Sequence, residues 1–254
     1  ATAAMMAIDG GQIINNGKLR VGLMYDQRGE TNTGGAAYGM ASISGNISAL
    51  TNKITNNGTI DVYSDYSSAI YLGEETELTF TDNSVINFYK NYQSVLTNNT
   101  ANALGVAEDA ESGNVYKLSG EINLDNEVSN FYLVKGPFNY VYNYATIKGA
   151  IQEAINLYDT AFLGTFVNHS NITYSVVANG GTFINNAELS NTLSSYTLSV
   201  VCGGSEICGN VVNNGTITGD TNITSMTSFA NNGTIKGNTN ITSMTSFANN
   251  GTIT

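Results

Sequence analysis

Residues 213–230 read NNGTITGDTNITSMTSFA, residues 231–248 read NNGTIKGNTNITSMTSFA, and residues 249–254 start the unit a third time with NNGTIT. The string NNGTI therefore begins at Asn213, Asn231 and Asn249, with 18 residues between starts. A fixed short period marks a solenoid, in which each repeat is one turn that only its neighbours bury. Eighteen residues are too few for a two-helix repeat, which needs about 33. Asn, Thr and Gly are poor helix formers, and the unit lacks the Leu ladder of a leucine-rich repeat. Each coil is thus expected to hold two or three short strands joined by tight turns. Asn-Asn-Gly reads as a turn because Asn and Gly tolerate positive φ. Thr-Ile-Thr reads as a strand with Ile217, Ile235 or Ile253 directed inward. Ile223, Met226 and Phe229 are the remaining core candidates of that coil.

Stacked coils place equivalent residues about 4.8 Å apart. At that spacing an asparagine can hydrogen-bond to its copy above and below, as in amide ladders. The expected ladder residues are Asn213, Asn214, Asn231, Asn232, Asn249 and Asn250. The competing reading is that Asn is abundant here only because it is polar and suits turns.

Looser copies extend the pattern upstream: Ile14-Asn15-Asn16-Gly17, Thr55-Asn56-Asn57-Gly58-Thr59-Ile60, Asp82-Asn83-Ser84-Val85-Ile86, Asn143-Tyr144-Ala145-Thr146-Ile147, Asn168-His169-Ser170-Asn171-Ile172 and Asn185-Asn186-Ala187. Ser68-Ala69-Ile70-Tyr71-Leu72-Gly73 also aligns in style with Asn102-Ala103-Leu104-Gly105-Val106. The expectation is one β-helix over 1–254, with irregular coils carrying insertions over 1–164 and more regular coils over 165–254. Ile147, Ile151, Ile155, Tyr158 and Phe162 fall at helical spacing, which predicts a short amphipathic helix over 146–163. The stretches Phe88–Tyr92 and Phe138–Tyr144 are rich in aromatics that suit either core or a binding surface.

Composition narrows the function. Only 11% of the 254 residues are charged, yet the net charge is -11, which makes a poor nucleic-acid binder. No apolar run is long enough to span a membrane as a helix. Cys202 and Cys208 are the two cysteines and lie six positions apart, which suits a local disulfide in an oxidising compartment, with two unlinked thiols as the alternative. The chain begins at Ala1, and Ala1–Ile8 is too short for a signal peptide; the expectation is a mature chain whose export signal is gone.

The NNGTI turns, with SSAIYLGEETELTFTDNSVI between two of them, resemble the passenger domains of Gram-negative autotransporters. The resemblance lies in repeat style and is strongest over 56–86 and 165–254. It implies a right-handed parallel β-helix displayed on the cell surface, exported unfolded, with few and closely spaced cysteines. It also implies a C-terminal membrane barrel, which this sequence lacks, so the expectation is a piece of a longer passenger.

Chemistry is sparse. His169 is the single histidine and sits inside a turn motif, and no Gly-flanked nucleophilic serine accompanies it. No phosphate-binding or dinucleotide motif occurs, so no catalytic, cofactor or metal residues are assigned. The acids at Glu74, Glu75 and Glu77, and at Glu108, Asp109 and Glu111, lack the spacing of a calcium loop and read as solvated turns. The sequons at Asn46, Asn98, Asn222 and Asn240 follow from the repeat vocabulary. The expected function is an adhesin whose insertions bind a protein or glycan receptor on a host or bacterial surface. Self-association into a surface fibre, and a β-helical polysaccharide lyase or hydrolase, are the alternatives.

Overall fold

A computed structural model describes residues 2–22, 37–43, 50–63, 67–73, 76–89, 101–107, 114–125, 128, 131–149, 155–159, 164–191, 196–202 and 208–254. The described residues form parallel strands and no helix. Ten of them, Thr2–Ile8, Ala37–Ile43, Ser67–Leu72, Ala101–Val106, Phe131–Lys135, Ile155–Asp159, Val176–Asn179, Leu198–Val201, Thr221–Thr224 and Thr239–Thr242, pair in sequence order into one sheet. Each opens one coil, so the molecule is a parallel β-helix of ten coils, and this sheet is its first face.

The second face continues through Gln12–Asn15, Asn52–Asn56 and Thr76–Phe80, then through a seven-stranded sheet from Val115–Leu118 to Ser246–Asn249. A five-stranded sheet from Lys18–Val21 to Thr146–Gly149 and a four-stranded sheet from Glu188–Ser190 to Thr252–Ile253 make the third face. A single bridge from Ile172 to Leu189 stands in for a third-face strand in the sixth coil.

Strand geometry sends one or more aliphatic or aromatic side chains of most strands into the interior, and parallel register stacks each on its counterpart. On the third face Ile60, Ile86, Ile122 and Ile147 align, and later Leu189, Ile217 and Ile235. Every member of these stacks is buried. On the second face the stack is largely aromatic, with Phe166 over Phe183 and Phe229 over Phe247. Each fully buried side chain of this size contributes about 2 kcal/mol, so adding a coil adds core in proportion.

The segment 146–163 is not a helix. Thr146–Gly149 is a third-face strand and Ile155–Asp159 a first-face strand, with Ile147, Ile155 and Tyr158 buried in the common core. Ile151 and Phe162 lie outside the described residues. Inward residues of two strands on either side of a corner imitate helical spacing.

The reason for glycine in the Asn-Asn-Gly turn also differs from expectation. None of Gly58, Gly215, Gly233 and Gly251 has positive φ. A Cβ on Gly233 would lie 2.0 Å from the carbonyl oxygen of Gly215, and one on Gly251 2.0 Å from that of Gly233. These glycines are there because successive coils approach too closely for a side chain.

Candidate functional site

The corner between the second and third faces hardly varies. It has two residues in eight coils, at 16–17, 57–58, 119–120, 144–145, 186–187, 214–215, 232–233 and 250–251. Its inner asparagines form a ladder. Asn143 Nδ2 donates to Asn168 Oδ1 at 3.0 Å, Asn168 to Asn185 at 3.1 Å, Asn185 to Asn213 at 2.9 Å, Asn213 to Asn231 at 2.8 Å and Asn231 to Asn249 at 2.8 Å. The same amides close the turn locally: Asn185 Nδ2 donates to the Ala187 carbonyl at 2.8 Å, and its Oδ1 accepts from the Ala187 N–H at 3.4 Å. A second, exposed ladder runs outside it through Asn186, Asn214, Asn232 and Asn250, with bonds of 2.8, 2.9 and 3.0 Å. Upstream, Asn15 donates to Asn56 at 2.8 Å, but the next coil offers Phe80 and the Asn56 Nδ2 is left without a partner.

Long connections occur at the other two corners, both of which border the first face. Between the third and first faces the chain spends residues 22–36, 63–66, 89–100, 125–130, 150–154 and 191–197. Between the first and second faces it spends 44–51, 73–75, 107–114, 136–139, 160–164 and 202–207. The Cys202–Cys208 disulfide closes one of these connections, with Cα atoms 5.6 Å apart, and residues 203–207 lie outside the described residues.

The first face itself is irregular between these borders. Through the sixth coil its strands direct two consecutive residues inward: Gly39 and Met40, Ala69 and Ile70, Ala103 and Leu104, Leu133 and Val134, Leu157 and Tyr158. The register shift between Asn156 and Tyr158 ends this bulge column against Val176–Asn179. A bulge bends its strand and strengthens the local twist. Ser68 and Tyr71 fill the space over Gly105, where a Cβ would meet Ser68 Oγ at 2.4 Å and Tyr71 Cδ2 at 3.2 Å.

The register positions flanking these inward pairs in coils two to six hold Tyr38, Ser68, Tyr71, Asn102, Gly105, Tyr132, Lys135 and Asn156, of which Ser68 is buried. Tyr38 and Tyr71 stack at 4.5 Å with 15° between planes, and burial pushes the Tyr38 hydroxyl above its usual pKa. The Lys135 Nζ lies 5.2 Å from the centre of the Tyr132 ring. Asn102 Nδ2 donates to Ser68 Oγ at 3.3 Å, while the other end of the amide is buried without a partner. A buried amide oxygen without a partner costs about 1–3 kcal/mol.

Two other clusters have a clear structural use. On the third face Asp61 points outward yet its side chain is only 1% exposed. It pairs with Lys18 at 2.6 Å and accepts from Asn87 Nδ2 at 2.7 Å, and Asn87 in turn accepts from Asn123 at 2.8 Å. Hydrogen bonding to Asp61, then its charge, raises the Lys18 pKa; burial, then Asp61, raises that of Tyr89. Beside it Arg20 lies 5.8 Å over Tyr63, which stacks on Tyr89 at 4.5 Å.

At the outer ladder position of coils five and six Tyr144 stacks on His169 at 4.5 Å and 1°, and Lys117 Nζ, from the second-face strand of coil four, lies 4.9 Å from the centre of the Tyr144 ring. His169 thus continues, with Tyr144, the column that Asn186 and its successors occupy. The aromatic stretches divide. Phe88, Phe138 and Val141 are core, whereas Tyr89, Tyr140 and Tyr144 are exposed.

The clustering of Lys18 and Arg20 around Asp61 escaped the sequence because it assembles across coils, and the outward position of Asp61 between Ile60 and Val62 was its only signal. Glu74, Glu75 and 108–111, and Asn46 and Asn98, lie outside the described residues. Asn240 is exposed and Asn222 half-buried. Among the described residues no group of three His, Cys, Asp or Glu is placed to hold a metal ion. No protein-family model, no curated protein and no solved structure matches the chain.

Proposed function

We propose that this chain is the β-helical stalk of a bacterial surface adhesin of the autotransporter kind, and that it binds its receptor along the first face. The observation that carries this reading is the distribution of connection length. The chain lengthens at the two corners bordering the first face and stays short at the third, so sequence variation frames one surface of the stalk. Loops on a rigid scaffold are where binding is usually built. The disulfide accords with an oxidising compartment outside the cytoplasm.

Beads coated with the chain are expected to adhere to a target cell surface, and adhesion is expected to fall when residues 90–100 and 203–207 are replaced by short Gly-Ser linkers. Equal adhesion by the replaced and unreplaced chains overturns the placement on the first face. Clumping of the beads with one another, without adhesion to cells, moves the function to self-association.

A further inference from the structure

We infer that this chain associates head to tail with further copies of itself, the tenth coil of one docking on the first coil of the next. Among the described residues, the strands of the first coil, Thr2–Ile8, Gln12–Asn15 and Lys18–Val21, are paired on one side only. The same holds at the other end for Thr239–Thr242, Ser246–Asn249 and Thr252–Ile253. Open sheet edges pair with other chains unless charge, proline or a bulge blocks them. Residues 239–254 contain no charged residue and no proline.

The two ends match in core and in polarity. Met5 begins and Ile241 ends one inward column of the first face. Leu19 and Ile253 stand at the two ends of the third face, and Ile13 and Phe247 each lie two residues before the corner asparagine. In the ninth coil Phe229 and Ile235 are 1% and 0% exposed, whereas their counterparts Phe247 and Ile253 in the tenth are 45% and 37% exposed. A docked coil buries them as the tenth coil buries the ninth. Inner asparagines donate toward the later coil, as Asn15 does to Asn56 and Asn231 to Asn249. Outer asparagines donate toward the earlier one, as Asn57 does to Asn16 and Asn250 to Asn232. The ladders therefore end in complementary groups: Asn249 Nδ2 can donate to Asn15 Oδ1 of another copy, and Asn250 Oδ1 can accept from its Asn16 Nδ2. Two like ends would set donor against donor.

Gly17 is an independent sign of the same contact. A Cβ on Gly58, Gly233 or Gly251 would lie 2.2, 2.0 and 2.0 Å from a backbone oxygen of the preceding coil, but nothing lies within 4 Å of one on Gly17. The first coil thus keeps the glycine that close stacking requires, and the tenth coil of another copy supplies the stacking partner. A lone peptide strand would cover one of the three edges, whereas a first coil covers all three. The contact is heterologous and does not close, so copies extend into a filament. The docking ends are separate from the corners that border the first face, so association does not depend on the receptor.

Sedimentation velocity of the 254-residue chain from about 1 µM to about 1 mM is expected to show dimers and longer species that grow with concentration. Gly17→Ala obstructs the first coil and Phe247→Lys the tenth, and each alone is expected to weaken association at least about tenfold. Mixed in equal amounts, the two variants keep one intact end each and are expected to form dimers but nothing longer. Far-ultraviolet circular dichroism checks the fold of each, and Ile253→Lys takes the place of Phe247→Lys if that variant fails to fold. A chain that stays monomeric at every concentration overturns the proposal. Association that both variants retain in full overturns the end-on contact. Loss in one variant with the other unaffected, or a mixture that stays monomeric, overturns the head-to-tail direction.

Discussion

The first six coils and the last four solve the same problem with different means. The first coil uses the 35 residues 2–36, and the ninth uses the 18 residues 221–238. In the late coils first-face strands alternate simply, the amide ladders run unbroken, and each side chain meets its own kind. In the early coils the first face bulges, the inner ladder is interrupted at Phe80 and Leu118, and polar atoms of Asn56 and Asn102 lack partners. Regular stacking satisfies each ladder asparagine through its neighbour and leaves the Thr221 and Thr239 hydroxyls buried without a partner, and an extra residue would break the ladders. Irregular stacking breaks the inner ladder and strands buried amide atoms at Asn56 and Asn102, and in return it accommodates the long connections at the corners.

The sharpest way to break the late coils is at the corner where they touch. Gly233→Ala places a methyl 2.0 Å from a backbone oxygen, and neither coil can shift without breaking a ladder on each side. A loss of roughly 3–5 kcal/mol is expected in chemical denaturation. Gly17→Ala is the internal control, because nothing lies within 4 Å of a Cβ there. Its expected change is within about 0.5 kcal/mol. Equal effects at the two positions would sink the close-approach account of these glycines.

The ladder itself comes next. Asn213→Ala removes the acceptor of Asn185 and the donor to Asn231 in one step. Both survivors are fully buried. The Asn231 Oδ1 loses its ladder donor, while Asn185 Nδ2 keeps the Ala187 carbonyl, and a cost of about 1–3 kcal/mol follows, against a negligible change for Asn214→Ala in the exposed outer ladder. Reduction of Cys202–Cys208 is smaller again. A seven-residue closed loop contributes about 2 kcal/mol on chain-entropy grounds, so the thermal midpoint is expected to fall by several degrees in reductant. An unchanged midpoint would show that the bond only decorates the connection.

Alkali distinguishes the two regions by another route. Tyr116 and Tyr158 are buried in coils four and six, and desolvation raises the pKa of both. The unfolded chain releases these protons near pH 10, the folded chain only at higher pH. Between those limits the unfolded state binds fewer protons, so stability is constant below about pH 10 and declines above it, by about 1 kcal/mol per tyrosine at pH 11. Hydrogen exchange is expected to accelerate first in coils four to six as pH rises through this range, after correction for intrinsic rates. Uniform acceleration along the chain would remove the contrast.

How far the sequence revealed all this depends on whether a feature repeats. The coil, its inward Ile217, Ile223, Met226 and Phe229, and the upstream alignment of Ser68 with Asn102 were legible because a repeat compares positions with one another. The 146–163 segment was misread because Ile147 and Ile155 belong to different strands, and one-dimensional spacing cannot separate a corner from a helical turn. The bulge column was invisible for a similar reason. Two consecutive inward residues such as Ala69-Ile70 or Leu133-Val134 look like any short apolar run. The Asp61 cluster exists only after coils are stacked, so its successive members Lys18, Asp61, Asn87 and Asn123 lie 26 to 43 residues apart in sequence with no shared motif.

The smallest effect has the opposite sign and tests whether the late coils are as well optimised as their ladders suggest. Ser225 and Ser243 are held at φ of 60° and 55°, in the left-handed region. Gly180 occupies the same corner two turns earlier at φ 72°, since Gly180, Cys202 and Ser225 each donate their N–H to the last first-face residue of the next coil. A non-glycine residue in this region costs about 1–2 kcal/mol, and replacing it by glycine gives back part of that gain through the looser unfolded chain. Ser225→Gly is therefore expected to stabilise by about 0.5–1 kcal/mol, and Ser225→Val to destabilise, since a β-branched side chain tolerates this backbone least. Denaturant midpoints of the two variants against the parent decide it. If glycine destabilises, the serine hydroxyl contributes more than its backbone strain costs, and the late coils are tuned at this corner as closely as at the asparagine turns.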